Sequence, residues 1–176
     1  MAARSLYRRI LGARFDALPE VLRRFHDAPG GGRARGMLQV KRAGGPLRDG
    51  LASLLRLPKT GTDVPVRLEV EIEGDRERWV RDFHGRPLET VQWARGDLLM
   101  ESYGLTSFSS ALVLEGSCLR YELRRVWVMG IPIPRRVAPL IDGRVDAGDS
   151  GWRLAVRVQV PFLGELVLYE GWVEPE

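Results

Sequence analysis

From Val64 almost to the end of the chain, apolar and polar side chains alternate with a period of two, and this feature most limits what the chain can become. In "VRLEVEIEGD", Val66, Leu68, Val70 and Ile72 fall on one face, while Arg67, Glu69, Glu71 and Glu73 fall on the other. Such alternation predicts a half-buried antiparallel strand. Gly74 and Asp75 mark a turn and "ERWVRDF" returns as the partner, so residues 64–84 predict a hairpin. Further strands are predicted at "LETVQWAR", "LLMESYG", "TSFSSALVLEG", "CLRYELRRVWVMG", "GRVDAGD", "WRLAVRVQVP" and "GELVLYEGWVE". Gly85, Gly96, Gly104, Gly116, Gly148 and Gly164 supply turn signals between them. Consecutive strands with short joins imply a meander, and a long meander must curl or leave an exposed edge, because strand twist accumulates. The expected class is α+β, mainly β: a curved up-and-down antiparallel sheet or partial barrel of about 8–9 strands. The interior of such a barrel is either filled by side chains or holds one small ligand.

Before residue 64 the period is helical. "SLYRRILG" and "DALPEVLRRFHD" carry Leu6, Ile10 and Leu11, then Leu18, Val21, Leu22 and Phe25, with Pro19 in a first turn and Asp16 as a candidate cap. "PGGGRARG" reads as a loop: no strand precedes it and no Gly-Lys-Ser/Thr follows, so it is neither a dinucleotide nor a Walker loop. "PLRDGLASLLRLP" places Leu47, Leu51, Leu54 and Leu55 in one stripe ended by Pro58, predicting a third helix packed on the sheet. Two or three N-terminal helices are therefore expected, able to plug one mouth of the curved sheet. The chain shows no internal repeat, and residues 1–176 are read as a single domain.

A single cysteine, Cys118, allows no internal disulfide and points to a reducing, cytoplasmic setting, with the thiol inert beside apolar neighbours. No apolar run reaches the roughly 20 residues that a transmembrane helix needs. The first fifteen residues are arginine-rich and acid-poor, as transit peptides are, but they lack the apolar core of a secretory signal; an amphipathic helix is the preferred reading. The net charge is +4 and the pI about 9.7. All but two of the 27 basic residues, Lys41 and Lys59, are arginine, and asparagine is absent, which points to GC-rich codon usage. The cations alternate with Asp and Glu along most segments, which argues against nucleic-acid binding.

Candidate site residues come from polar groups inside apolar strands. In "ERWVRDFHG", alternation puts Glu77, Trp79, Arg81 and Phe83 on one face. If that face is interior, Glu77 and Arg81 form an ion pair between rings, a polar anchor in an apolar pocket; if exterior, they are a surface ladder. The interior is preferred, because Trp79 and Phe83 gain most from burial. Glu101 and Glu170 are further carboxylates in apolar strands. In "CLRYELRRVWVMG", Leu119, Tyr121, Leu123, Trp127 and Met129 share a face that Arg125 interrupts. Arg125 is either buried and paired or marks a bulge that flips the register. Gly130, Pro132 and Pro134 then end the strand, and "PRRVAPLI" reads as a short helix or turn at the rim. The pocket candidates are Trp79, Arg81, Glu77, Glu101, Tyr121, Trp127 and Tyr169. His26 and His84 have no metal-site spacing, and Ser107, Ser109 and Ser110 lack the Gly-x-Ser-x-Gly elbow, so no metal, cofactor or nucleophile is assigned.

"LYRRILG", "ERWVRDF", "GIPIPR" at 130–135 and "VPFLGELVLYEGWVEP" at 160–175 resemble the bacterial DUF4166 family, a domain of unknown function found alone or attached to saccharopine-dehydrogenase-like and YndJ-like chains. The resemblance implies a bacterial, cytoplasmic origin and carries over no catalytic residue. Three functions are compatible with the sequence. The first is a non-catalytic module holding a small apolar or lipid-like ligand in the cup of the sheet. The second is a cyclase- or isomerase-like enzyme using Glu77 or Glu101 in the same pocket. The third is an interaction domain with an oxidoreductase-like partner.

Overall fold

A computed structural model describes residues 5–55 and 57–176. Residues 1–4 of the arginine-rich start and Arg56, within the third predicted helix, lie outside the described residues. Helix α1 (Leu6–Leu11) starts at Ser5, whose hydroxyl accepts from the Arg8 N–H as an N-cap does. A 3-10 turn (Gly12–Ala17) leads to α2 (Glu20–His26), which Pro19 immediately precedes. Asp16 caps nothing and instead accepts from the Arg8 guanidinium at 2.9 Å.

Eleven strands follow among the described residues: β1 (Arg33–Arg42), β2 (Gly61–Glu73), β3 (Arg76–Phe83), β4 (Pro87–Arg95), β5 (Leu98–Tyr103), β6 (Thr106–Glu115), β7 (Cys118–Val128), β8 (Ile131–Pro132), β9 (Leu140–Ala147), β10 (Trp152–Val160) and β11 (Gly164–Pro175). Helix α3 (Pro46–Leu54) lies between β1 and β2. Neighbouring strands pair antiparallel in the order β6-β5-β4-β3-β2-β1-β11-β10-β9-β7-β8, and β6 also pairs with β7. The sheet therefore closes on itself. Ten strands form the barrel and β8 is a two-residue extra on β7, so the expected 8–9 strands in an open or partial barrel become ten in a closed one.

The strand that sequence reading missed is β1, taken there for the tail of a glycine loop. Its inward positions are Ala34, Gly36, Leu38 and Val40, and two small residues mute the alternation. They are small for a reason. A Cβ on Gly36 would stand 2.2 Å from the Trp172 carbonyl oxygen, and one on Gly171 only 2.0 Å from that of Met37. Glycine at both positions lets β1 and β11 cross closely enough to close the barrel.

Because successive strands alternate in direction, their turns divide between two ends. The β2–β3, β4–β5, β6–β7 and β9–β10 turns lie at one end, which α1 and α2 plug with Leu6, Tyr7, Ile10, Leu22 and Phe25, all buried. The β3–β4, β5–β6, β7–β9 and β10–β11 connections lie at the other, the rim, together with α3. The leucine stripe of α3 is split: Leu51 and Leu55 pack on the core, whereas Leu47 and Leu54 are exposed. The outer wall carries ion pairs such as Arg78 with Glu71 and Glu89 and Arg153 with Glu170. No described helix is long and apolar enough to cross a membrane.

Candidate functional site in the barrel interior

Residues directly opposite in an antiparallel pair share a face, so the register decides what enters the barrel. Leu68 opposes Arg81 and Val70 opposes Trp79, which places the Glu77, Trp79, Arg81 and Phe83 face of β3 inside. On β4 and β5 the inward positions include Thr90, Gln92, Leu99 and Glu101. A polar network thus crosses an otherwise apolar interior.

Near the plugged end, both oxygens of Glu77 are engaged. Oε1 accepts from the Leu6 N–H at 3.2 Å and Oε2 from the Trp79 indole N–H at 3.0 Å, so this carboxyl ties α1 to the wall. Burial lifts its pKa above the usual range against the pull of these two donors. The Tyr7 hydroxyl donates to the Gln92 side-chain oxygen at 3.4 Å and lies 3.1 Å from the Tyr121 hydroxyl. The Tyr7 ring stacks on His26 with centroids 3.6 Å apart. Burial drives the imidazole pKa down to about 3, so His26 is neutral in the folded protein.

Deeper in, Arg81 donates to Thr90 Oγ1 at 2.8 Å and to Glu101 Oε1 at 3.1 Å, and its guanidinium lies 5.2 Å from the Trp79 ring centroid. The anchor expected between Glu77 and Arg81 is therefore built differently: Arg81 reaches across β4 to Glu101, while Glu77 serves the plug. Burial, the largest influence, opposes the Arg81 charge, but the Glu101 carboxylate together with Tyr169, Tyr7 and Tyr121 outweighs it and raises the pKa. Tyr169 packs edge-on to Phe83 at 5.5 Å, and burial pushes the hydroxyls of Tyr121 and Tyr169 up to about 12. At neutral pH the interior thus offers one compensated charge pair and protonated phenols.

Inward residues are not equally sealed. Leu68, Val70 and Val158 are buried, whereas Tyr121, Leu123, Ile141 and Val156 are only half-buried, and the Arg81 and Glu101 side chains keep 17% and 12% of their surface. These groups line β7, β9 and β10 and the facing wall, where β7 leaves β9. Only Cys118–Glu122 of β7 pair with β9; its far half pairs with β8, and the 133–139 segment lies beside that split, held by the Ile133 N–H donating to the Val126 carbonyl.

The register of β7 decides the fate of two residues. Ser109 opposes Arg125 and Ser110 opposes Leu123, leaving Arg124 as an extra residue. This bulge is the alternative that sequence reading held open for Arg125. Past it the inward residue is Val126, 2% exposed, and Trp127 stands opposite Ser107 and Pro132 on the outer face. Trp127, a pocket candidate from sequence, is not an interior wall. Glu170 is also outside, paired with Arg153. Sequence reading missed Tyr7, Thr90 and Gln92; the polar inward pair in "LETVQWAR" was the available signal. Among the described residues, no group of three or more His, Cys, Asp or Glu could hold a metal ion.

The family described as "Domain of unknown function (DUF4166)" matches residues 18–173. No curated protein matches. A crystal structure of a protein of unknown function from the DUF3598 family of Nostoc punctiforme is similar, with a TM-score of 0.54 and 11% identity, covering 82% of this chain and 47% of that one. This chain thus spans about half the length of that relative, and the likeness is one of fold alone.

Proposed function

The chain belongs to the DUF4166 family, a domain of unknown function, and within that frame we propose that its barrel binds a small apolar or lipid-like ligand without catalysing a reaction. The observation that carries this reading is that Tyr121, Leu123, Ile141 and Val156 point into a closed barrel yet remain half-buried. A packed interior would seal them, as it seals Leu38 and Leu119. Trp79, Arg81, Glu101, Tyr121 and Tyr169 form the ligand's walls and anchor. Because Arg81 is already compensated by Glu101, a neutral hydrogen-bonding head, such as a hydroxyl or carbonyl, suits the site better than a carboxylate. The engagement of both Glu77 oxygens and the pairing of Glu101 support binding over acid–base work. Residues 1–176 act in this reading as one module.

The test is a tryptophan-fluorescence titration with primary alcohols of increasing chain length and fatty acids of matching length. Affinity should rise with length, since each buried CH2 contributes up to about 0.8 kcal/mol, and alcohols should outrank acids. Leu123→Trp should abolish binding while the melting temperature holds. Flat emission across both series, with an interior holding no void larger than a water, would overturn the reading.

A further inference from the structure

Exposed apolar side chains are concentrated at the rim. Leu47 and Leu54 on α3, Leu105 in the β5–β6 turn, Met129 and Ile131 after β7, and Phe162 in the β10–β11 turn are all at least two-thirds exposed, and Phe162 is 95% exposed. Two contacts join these segments in pairs: the Met129 N–H donates to the Leu105 carbonyl at 2.8 Å, and the Arg48 guanidinium to the Leu163 carbonyl at 2.7 Å. The backbone is strained at two of these tips. Met129 has φ 52° and Phe162 φ 67°, where L side chains are disfavoured. At the plugged end the corresponding positions are Gly74, Gly96 and Gly116. The rim turns use positive-φ glycines too, at Gly85, Gly104, Gly130 and Gly164, so Met129 and Phe162 stand out as large apolar side chains kept at positions that favour glycine.

Charge divides the same way. The described rim connections carry Arg48, Lys59, Arg86, Arg135 and Arg136 against one carboxylate, Asp49, and none of the five cations forms an ion pair among the described residues. The plugged end's turns carry Asp75, Asp97 and Asp149, and its helical segment carries Arg8, Arg9, Arg14, Arg23 and Arg24 against Asp16, Glu20 and Asp27, so the excess of positive charge is at the rim. Apolar tips among cations without ion pairs match the boundary of an anionic bilayer, where apolar groups enter the acyl region and arginines meet headgroups.

We propose that the rim docks on membranes bearing anionic lipid, with Phe162, Met129 and Leu105 inserted and the split beside 133–139 facing the bilayer. This orientation stands independently of what the barrel holds.

Flotation of the full chain with vesicles of phosphatidylcholine, alone or mixed with phosphatidylglycerol, tests it. The protein should float with the anionic vesicles far more than with the neutral ones, and less as salt rises. The Met129→Gly/Phe162→Gly variant should lose at least about tenfold in partitioning, since two large apolar side chains are gone, while its melting temperature stays equal or rises because glycine relieves both strained positions. Arg135→Glu/Arg136→Glu should bind weakly at low salt, and Met37→Ser on the barrel wall should be neutral. Absence of flotation with anionic vesicles overturns the proposal, as does flotation insensitive to both rim variants. A concentration-dependent dimer dissolved by the glycine variant would assign the rim to a second copy instead. Alcohol binding in vesicle-free solution should be unchanged in the glycine variant, which keeps this result separate from the titration above.

Discussion

Arg81 illustrates how much a single side chain reveals before a structure is known. Its position between Trp79 and Phe83 on an alternating strand was enough to place it inward, because two large rings gain more from burial than one guanidinium loses when it is paired. Its partner was not readable. Glu77 lies four residues away on the same face, but the acid that meets Arg81 is Glu101, two strands distant, at 3.1 Å. Both side chains retain less than a fifth of their surface, so the pair is weakly screened. Arg81→Met should therefore cost about 3–5 kcal/mol by leaving Glu101 uncompensated, and Arg81→Met/Glu101→Met should recover most of it. Denaturant unfolding of the cycle measures the coupling; additive costs would show that the two do not act as a pair. Tyr7 marks the opposite limit. Nothing in "LYRRILG" shows that its hydroxyl meets Tyr121, 114 residues away.

At the scale of elements, two strands show why alternation is a strong but incomplete guide. The period of β7 breaks at Arg124, and a one-residue insertion reverses every later side chain. The sequence contains the break, as an arginine in an apolar face, but not its resolution, since a buried paired arginine leaves the same signature. The bulge predicts that Arg125→Leu, at an exposed position, changes stability by no more than about 0.5 kcal/mol. Deleting Arg124, the extra residue, should leave Arg125 opposite Ser109 and Val126 facing inward, and so should also be tolerated. Thermal melts of the two variants decide the matter, and a large loss on deleting Arg124 would contradict the bulge, because in an unbulged strand that deletion reverses every later side chain. Strand β1 is the complementary case: Gly36 has no side chain because β11 crosses close to it, so the requirement that closes the barrel also weakened the pattern that would have announced the strand.

For the whole molecule, the plug makes stability depend on acid. His26 is held neutral with a pKa of about 3, against 6.5 for an unperturbed imidazole, between the Tyr7, Phe25 and Trp79 rings. Between those values the unfolded chain binds a proton that the folded chain refuses, so stability falls as pH drops from 6.5 towards 3, by about 1.4 kcal/mol per pH unit at most. Asp27 responds lower down. Burial opposes its ionisation, but hydrogen bonds from Arg8 and Ser5 prevail and depress its pKa, so its contribution is lost only as pH falls below 3.8. His26→Phe should flatten the decline of melting temperature between pH 6.5 and 4; an unchanged slope would mean that another group controls it. By itself, the sequence determined that the chain is mainly antiparallel β with helices at its start, that β3 turns its aromatics inward, and that β7 stops just before Gly130. Those properties follow from periodicity and local backbone chemistry, which neighbours in the chain set. Only the tertiary structure decided that ten strands close, that Arg81 meets Glu101, that Trp127 faces out, and that apolar tips and unpaired cations gather at one end. Each of these depends on register and closure between segments far apart in the chain, and no local pattern carries that information.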